Sequence, residues 1–343
     1  MRRTLLISVL ALLALCLVGC GARKGPRTWR FAIEETSGSV QDAYAQKFKE
    51  LIEEKSQGQV RVKVYPYGTL GTSDQLSELL YNGSLQFCMA SPGHIGKMIP
   101  EVQVLLLHYV LSDDEAVNRR VLESPEVREY FDALFAEKNF KLLSVFSEGW
   151  QVWTANKPIE SPQDFAGVKF RVMTSPLLMA AYDAYGASTT PLPYSEVYSA
   201  LQLKMIDGQV NPVFAIEEMS FYEVNDHLIF ANQAQFYTTC LTNREFYGKL
   251  PPEEKAWVDG ALEELQDYIF QTQARFNQER LNTILEKNPD MKVVRLNKEQ
   301  RRAFRRAAEP TQKLFIEMAG ERGRNLLQLL LRRVEEEENN SRR

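Results

Sequence analysis

Few residues in this chain have types and spacing that could do chemistry, and Arg171 is the most conspicuous of them. It lies in the stretch DFAGVKFRVMTSP, residues 164–176. The run KFRVM alternates, so Val168, Phe170 and Val172 share one face of a strand while Lys169, Arg171 and Met173 share the other. Two readings are open. The plainer one leaves Lys169 and Arg171 on a solvated face near a strand end. The functional one turns Arg171 into a cleft between lobes, where the planar guanidinium holds a carboxylate through two parallel hydrogen bonds. A charge so placed is costly to desolvate unless an anion compensates it. Glu34 and Glu35 form a second candidate, a general acid and base. Neighbours on one strand point to opposite faces, which makes them a poor dyad.

Aromatic side chains are the third feature. Phe87, Phe146, Trp150, Trp153, Tyr194 and Phe214 each fall at or near the end of a predicted strand or turn. Ligands in open α/β sheets bind outside the carboxyl ends of strands, so these rings are candidate walls, with core packing as the plainer use. Trp150 and Trp153 fall on opposite faces of WQVW, so one lines a cleft and the other a core or lobe contact. His94, His108 and His227 are scattered and read as structural or surface residues, and no metal or cofactor is expected. The chain contains no GxxxxGK[ST] loop, no GxGxxG after the first strand, no GxSxG elbow and no HExxH motif. GTLGT at residues 68–72 is a turn.

These residues need elements to hold them. TWRFAIEE (28–35) predicts a buried strand ending in two carboxylates. Val40, Ala43, Tyr44, Phe48, Leu51 and Ile52 recur at helical spacing up to about Lys55. VRVKVYP, a short helix around Leu76 and Leu80, and the strand LQFCMA complete a β-α-β grammar, which predicts a mainly parallel sheet covered by helices. NFKLLSVF and WQVWTA predict two further strands. Ser161 and Ser175 each precede a proline at a helix start, and Gly186 follows a helix end. Residues 194–206 predict a helix, DGQVNPV a strand entering a turn, and residues 251–288 a long helix reaching across both lobes. The tail RRVEEEENNSRR lacks apolar periodicity and reads as a frayed helix end or a disordered segment.

With 343 residues, 44% apolar and 25% charged, the chain fits a folded protein of two lobes of roughly 150 residues each. MRRTLLISVLALLALCLVGC has a basic start and a short apolar core, the pattern of an export signal. LVGC matches a lipobox, so Cys20 is the expected lipidated N-terminus, with release into the periplasm as the alternative. Loss of Arg2 and Arg3 with the signal lowers Lys plus Arg from 41 to 39 against 45 acidic residues, moving the net charge from -4 to -6. A nucleic-acid partner is not expected. Cys88 and Cys240 lie in no CxxC or CxxH spacing, so nothing in the sequence supports a disulfide.

EKSQGQVRVKVYPYGTLGTSDQLSELLYNGSLQF, DFAGVKFRVMTSPLL and TPLPYSEVYSALQLKMIDGQVNPV, with the lipobox signal, resemble the substrate-binding proteins of tripartite ATP-independent periplasmic (TRAP) transporters, a likeness covering roughly residues 29–330. The resemblance implies an α/β fold of two lobes joined by crossing strands and a long interlobe helix, closing on a ligand cleft and delivering solute to a membrane permease. It divides the chain into a signal peptide (1–19), an anchor linker (20–27), a first lobe (28–150), a second lobe (151–240), crossing strands and long helices (241–330) and a polar tail (331–343). It implies that Arg171, the arginine of GxKxR, binds a ligand carboxylate and that Asn211, from DGQxNP, supports it. Gln151 stands where many members carry a second arginine. WRxAxEE, QxxYAQKFKE, the SPG after QF, FRVMTxPLL and PLPxxEVY are similar to ectoine-binding members. That likeness implies Glu34 for a cationic ring and Phe87, Phe146 and Phe214 as its walls. Met89 stands where an acid is expected, Tyr194 replaces a tryptophan, and Trp150 adds bulk that could stack on an aromatic or keto acid. An exported hydrolase or lyase using Glu34 and Glu35, and a structural or adhesion lipoprotein, are the competing readings.

Overall fold

The computed structural model describes residues 25–341, so the export signal, the lipobox and Cys20 lie outside the described residues. The first strand, β1 (Arg27–Ala32), leads into α1 (Val40–Lys55), which buries Val40, Tyr44, Phe48, Leu51 and Ile52 as its spacing requires. Ser39 caps α1 by accepting from the Asp42 N–H. Next come β2 (Val60–Tyr65), α2 (Ser73–Tyr81), β3 (Phe87–Ala90), α3 (Pro92–Ile95), α4 (Glu115–Glu123) and α5 (Pro125–Ala136). A single 16-residue strand, β4 (Phe140–Ala155), then runs where the sequence predicts two.

The second half repeats the grammar with β5 (Lys169–Val172), α6 (Pro176–Asp183), β6 (Ser188–Pro191), α7 (Val197–Gln202), β7 (Gly208–Pro212), α8 (Val213–Glu218) and β8 (His227–Phe230). The helix expected over 194–206 is shorter: one 3-10 turn, Tyr194–Glu196, precedes α7. β9 (Gln235–Asn243), α9 (Arg244–Lys249), α10 (Pro252–Lys287), β10 (Lys292–Arg295) and α11 (Lys298–Ser341) complete the chain.

The strands join in the order β2-β1-β3-β9-β4-β7-β5-β6, with β8 pairing with β4 and with β10. β1, β2 and β3 pair in parallel, as do β5, β6 and β7, but β9 and β4 run antiparallel to their neighbours. The sheet is therefore mixed, a correction to the mainly parallel expectation: the two halves are parallel units, and the chain crosses between them on antiparallel strands. β4 makes the crossing. Its first part pairs with β9 and its last residues, Gln151 to Ala155, with β7. A register shift between Ser147 and Trp150 marks the passage. There Gly149 takes φ +114, and a Cβ would meet the Asn277 amide at 2.3 Å.

α10 spans about 54 Å at 1.5 Å per residue. Trp257, Val258, Ala261, Leu265 and Ile269 bury its first half in one core with β1, β2 and α1, while Leu281 and Ile284 bury its end in another with α7 and α8. The long helix thus grips both halves.

The tail also departs from expectation. α11, two helical segments meeting at Gly320, continues to Ser341. Its polar end is held by ion pairs of Arg332 with Glu126 and of Arg120 with Glu337, by the Ser112 hydroxyl donating to Glu338, and by burial of Val334. Charge pairing across helices replaces the missing apolar stripe.

Candidate functional site

β1 ends at Ala32 and the backbone then bends, so Glu34 and Glu35 are not strand neighbours facing opposite ways, as the sequence reading supposed. Both line one cleft of about 400 Å³, together with Gln41, Ser73, Ser91, His94, Arg171, Met173, Tyr194, Asn211 and Phe236. The cleft lies at the carboxyl ends of β1 and β3 on one side and of β5 and β7 on the other, where open α/β sheets bind ligands.

Strand alternation decides what β5 presents. Phe170 and Val172 enter a core with Trp153 and Phe165, whereas Arg171 and Met173 reach the cleft. Arg171 is only 2% exposed, yet it makes no ion pair among the described residues. Its Nε and Nη2 both donate to the Leu192 carbonyl, at 3.0 and 2.7 Å, which orients the fork and leaves Nη1 without a protein acceptor among the described residues. Burial lowers its pKa to about 10, so it stays charged at neutral pH. An uncompensated buried cation is unfavourable, and an anion entering the cleft relieves it.

Asn211 shares this face, two residues beyond Gln209, the β7 partner of Arg171. Its amide donates to Gln209, Gln209 donates to Thr154 at 3.1 Å, and Thr154 donates to Asn225 at 2.7 Å. This buried chain fixes the Asn211 amide and leaves its second N–H for another acceptor. Tyr194 meets Tyr67 edge-on at 6.1 Å, joining the two walls.

The opposite wall is acidic. Glu34 accepts from the Ser91 N–H at 2.7 Å, and its other oxygen is buried with no partner. Burial raises its pKa, while His94 acts in the other direction. Gln41 binds this wall together: its Oε1 accepts from the Glu34 N–H at 2.8 Å and its Nε2 donates to Glu148 at 3.0 Å. The Glu35 pKa is raised well above the usual carboxylate range by burial first and by Glu148 second. Burial pushes Glu148 up to about 7, and pushes Glu218 up to about 8 with help from Glu35.

The aromatic expectations fare differently. Phe87 and Met89 are fully buried, on the face of β3 that packs into the core with Trp29, Phe31 and Phe48, because this short strand is covered on both sides. Phe214 joins the same core, with its N–H donating to Asn277. Phe146 stacks on Tyr44 at 4.9 Å and lines a separate crevice of about 560 Å³ between β4, α4 and α10. Trp150 faces yet another crevice with Asn277 and Arg295. Gln151 lies opposite Pro212, and register puts it on the face away from Arg171 and Asn211. These six residues are therefore not brought to the cleft. Trp153 is core, donating to the Tyr182 hydroxyl at 2.9 Å.

Phe236, Gln41, Ser73, Ser91 and Met173 are cleft residues that the motifs did not assign, while Glu35, weighed only as a catalytic partner of Glu34, and His94, read as structural, also line the cleft. Of the first five only Met173 carried a signal, its alternation with Arg171. His94 is held by Asp74, away from His108, which is buried against Tyr185, and from His227. Cys88 and Cys240 are free and buried.

Two α/β halves, crossing strands, a helix gripping both and a charged cleft between them define a two-lobed binding protein. The chain belongs to the DctP family, described as bacterial extracellular solute-binding protein, family 7, whose profile matches residues 31–318. It is 41% identical over 300 residues to the ectoine-binding periplasmic protein TeaA of Halomonas elongata, covering 87% of each chain. It is 40% identical to the ectoine/5-hydroxyectoine-binding periplasmic protein UehA of Ruegeria pomeroyi, covering 88% of each. Among solved structures, the TeaA protein superposes with a TM-score of 0.86 at 39% identity, covering 90% of this chain and 99% of that one. An apo open TRAP solute-binding protein from Marinobacter aquaeolei superposes at 0.84 with 43% identity, covering 89% and 99%. This chain is a solute-binding protein of the TRAP type, and no described helix is long and apolar enough to cross a membrane.

Proposed function

We propose that the cleft captures a small molecule bearing one carboxylate and a positive charge, an ectoine-like zwitterion, and hands it to a TRAP permease. One observation carries this reading: a buried Arg171 with no anionic partner among the described residues faces, across the same cleft, a buried Glu34 with an oxygen that none of them bonds. In this reading Arg171 and the free N–H of Asn211 take the carboxylate, Glu34 takes the cationic end, and Tyr194 and Phe236 supply ring faces. The two halves of the sheet on either side of the β4 bulge are the jaws. Lipidation of Cys20 anchors the protein at the periplasmic membrane face, which mass spectrometry of the membrane-extracted protein tests. No turnover is assigned to the site, since the family and the relatives it matches are solute-binding proteins.

Isothermal calorimetry against ectoine and against plain organic acids such as succinate tests the reading. Arg171→Ala is expected to weaken ectoine binding about 100-fold or more while the far-UV spectrum is kept. Unchanged affinity in that variant, or tighter binding of succinate than of ectoine to the wild type, overturns it.

A further inference from the structure

We propose that Glu35, Glu148 and Glu218 form an interlobe proton-exchanging cluster, so that the cationic end of the ligand is admitted in exchange for a proton. This rests on the carboxylate-clamp reading above and deepens it.

The three carboxyls come from three parts of the machine. Glu35 follows β1 in the first half, Glu148 occupies the bulge of the crossing strand β4, and Glu218 ends α8 behind β7 in the second half. Gln41 holds Glu35 and Glu148 together, its N–H donating to Glu35 at 3.3 Å and its Nε2 donating to Glu148 at 3.0 Å. Two ionised carboxylates have no proton to share, and Glu148 Oε2 has no donor among the described residues, so the two carboxyls bond each other only when one of them is protonated. Glu218 also keeps a buried, unpartnered oxygen.

The surroundings do not neutralise the cluster. Glu34, beside His94, adds a carboxyl on the cleft side, and Asp42 of α1 and Glu217 of α8 act on Glu218 with the same sign. The cations around it are Arg280 and Lys287 of α10, which both bond Glu217, His94 beside Glu34, and Arg171, whose influence reaches Tyr194 between the two walls. Arg171 is buried, makes no ion pair among the described residues and is directed into the same cleft, so a carboxylate entering there offsets its positive charge and makes the acidic wall harder to ionise. Like charges this close cannot all be ionised, and the elevated pKa values of all three agree. With the cleft empty, protons balance the cluster. A ligand that carries its own positive charge replaces a proton, which leaves to solvent. A ligand that carries only a carboxylate keeps the proton and gains from it.

Calorimetry of the full mature chain at pH 7 in two buffers of different ionisation enthalpy reads the exchange. The probes are ectoine and cyclohexanecarboxylate, a ring acid without the positive charge. Ectoine is expected to release a proton and to bind about tenfold more tightly at pH 8 than at pH 6, and cyclohexanecarboxylate to show the opposite trend. Glu148→Gln and, independently, Glu218→Gln are expected to reduce the buffer dependence and flatten both profiles. Ectoine binding with no buffer dependence and a flat pH profile overturns this inference and leaves the carboxylate clamp standing. Failure of both acids to bind the folded protein overturns the clamp, and the exchange with it.

Discussion

Arg171 and the acidic wall show how single residues set opposite demands within one cleft. A guanidinium held by one carbonyl waits for an anion, and carboxyls crowded beyond it wait for a cation or a proton. The crowding also has a stability consequence in the ligand-free protein. Glu148 and Glu218 rise from an ordinary 4.5 to about 7 and about 8. The folded state therefore binds more protons than the unfolded state between those limits, and its stability falls as pH rises through them. Burial lowers His108 from 6.5 to about 3, which works the other way but only below 6.5. Melting temperature is thus expected to fall from pH 6.5 to pH 8, and the slope to shrink in Glu148→Gln. A flat wild-type profile over that window counts against the raised values.

At the scale of elements, β4 and α11 are the informative cases. β4 bends where Gly149 takes a positive φ against Asn277 of α10. Gly149→Ala is expected to destabilise the protein by about 1–3 kcal/mol, since both the backbone conformation and the close approach resist a Cβ. Chemical denaturation measures this, and a neutral result would mean that the bulge relaxes freely. α11 carries a charged end that composition alone marks as loose. Truncation after Leu331 removes Val334 and the pairs made by Arg332 and Glu337, and is expected to lower the melting temperature by a few degrees. An unchanged melting temperature would restore the disordered-tail reading.

For the whole molecule, two parallel units are joined by antiparallel crossing strands, with α10 across both cores. In the proposed reading, closure of the two units depends on ligand contacts to both walls. Small-angle scattering is expected to show a smaller radius of gyration on adding ectoine, and no change in Arg171→Ala. Contraction of the variant to the same extent would detach closure from the carboxylate clamp.

Local chemistry was largely legible. The periodicity of α1, the β-α-β order, the Ser161 and Ser175 caps and the face of Arg171 all follow from rules acting over a few residues, and the chain obeys them. Alternation could place Arg171 and Met173 together, but it could not say which aromatic faces would be covered. Phe87, Met89 and Phe214 look like cleft residues until α1, β1 and α10 cover them.

The sequence by itself determined the α/β class, the two-lobed expectation and the face on which Arg171 reaches the cleft, because these rest on period, capping and a short contiguous motif. Only the tertiary structure decided that β4 is one strand, that Phe236 rather than Phe87 lines the cleft, and that Gln41 bonds both Glu35 and Glu148. Charge crowding is a property of distances in space, and carboxyls far apart in the chain, such as Glu35 and Glu148, come to share one partner only when the sheet folds around the crossing strand.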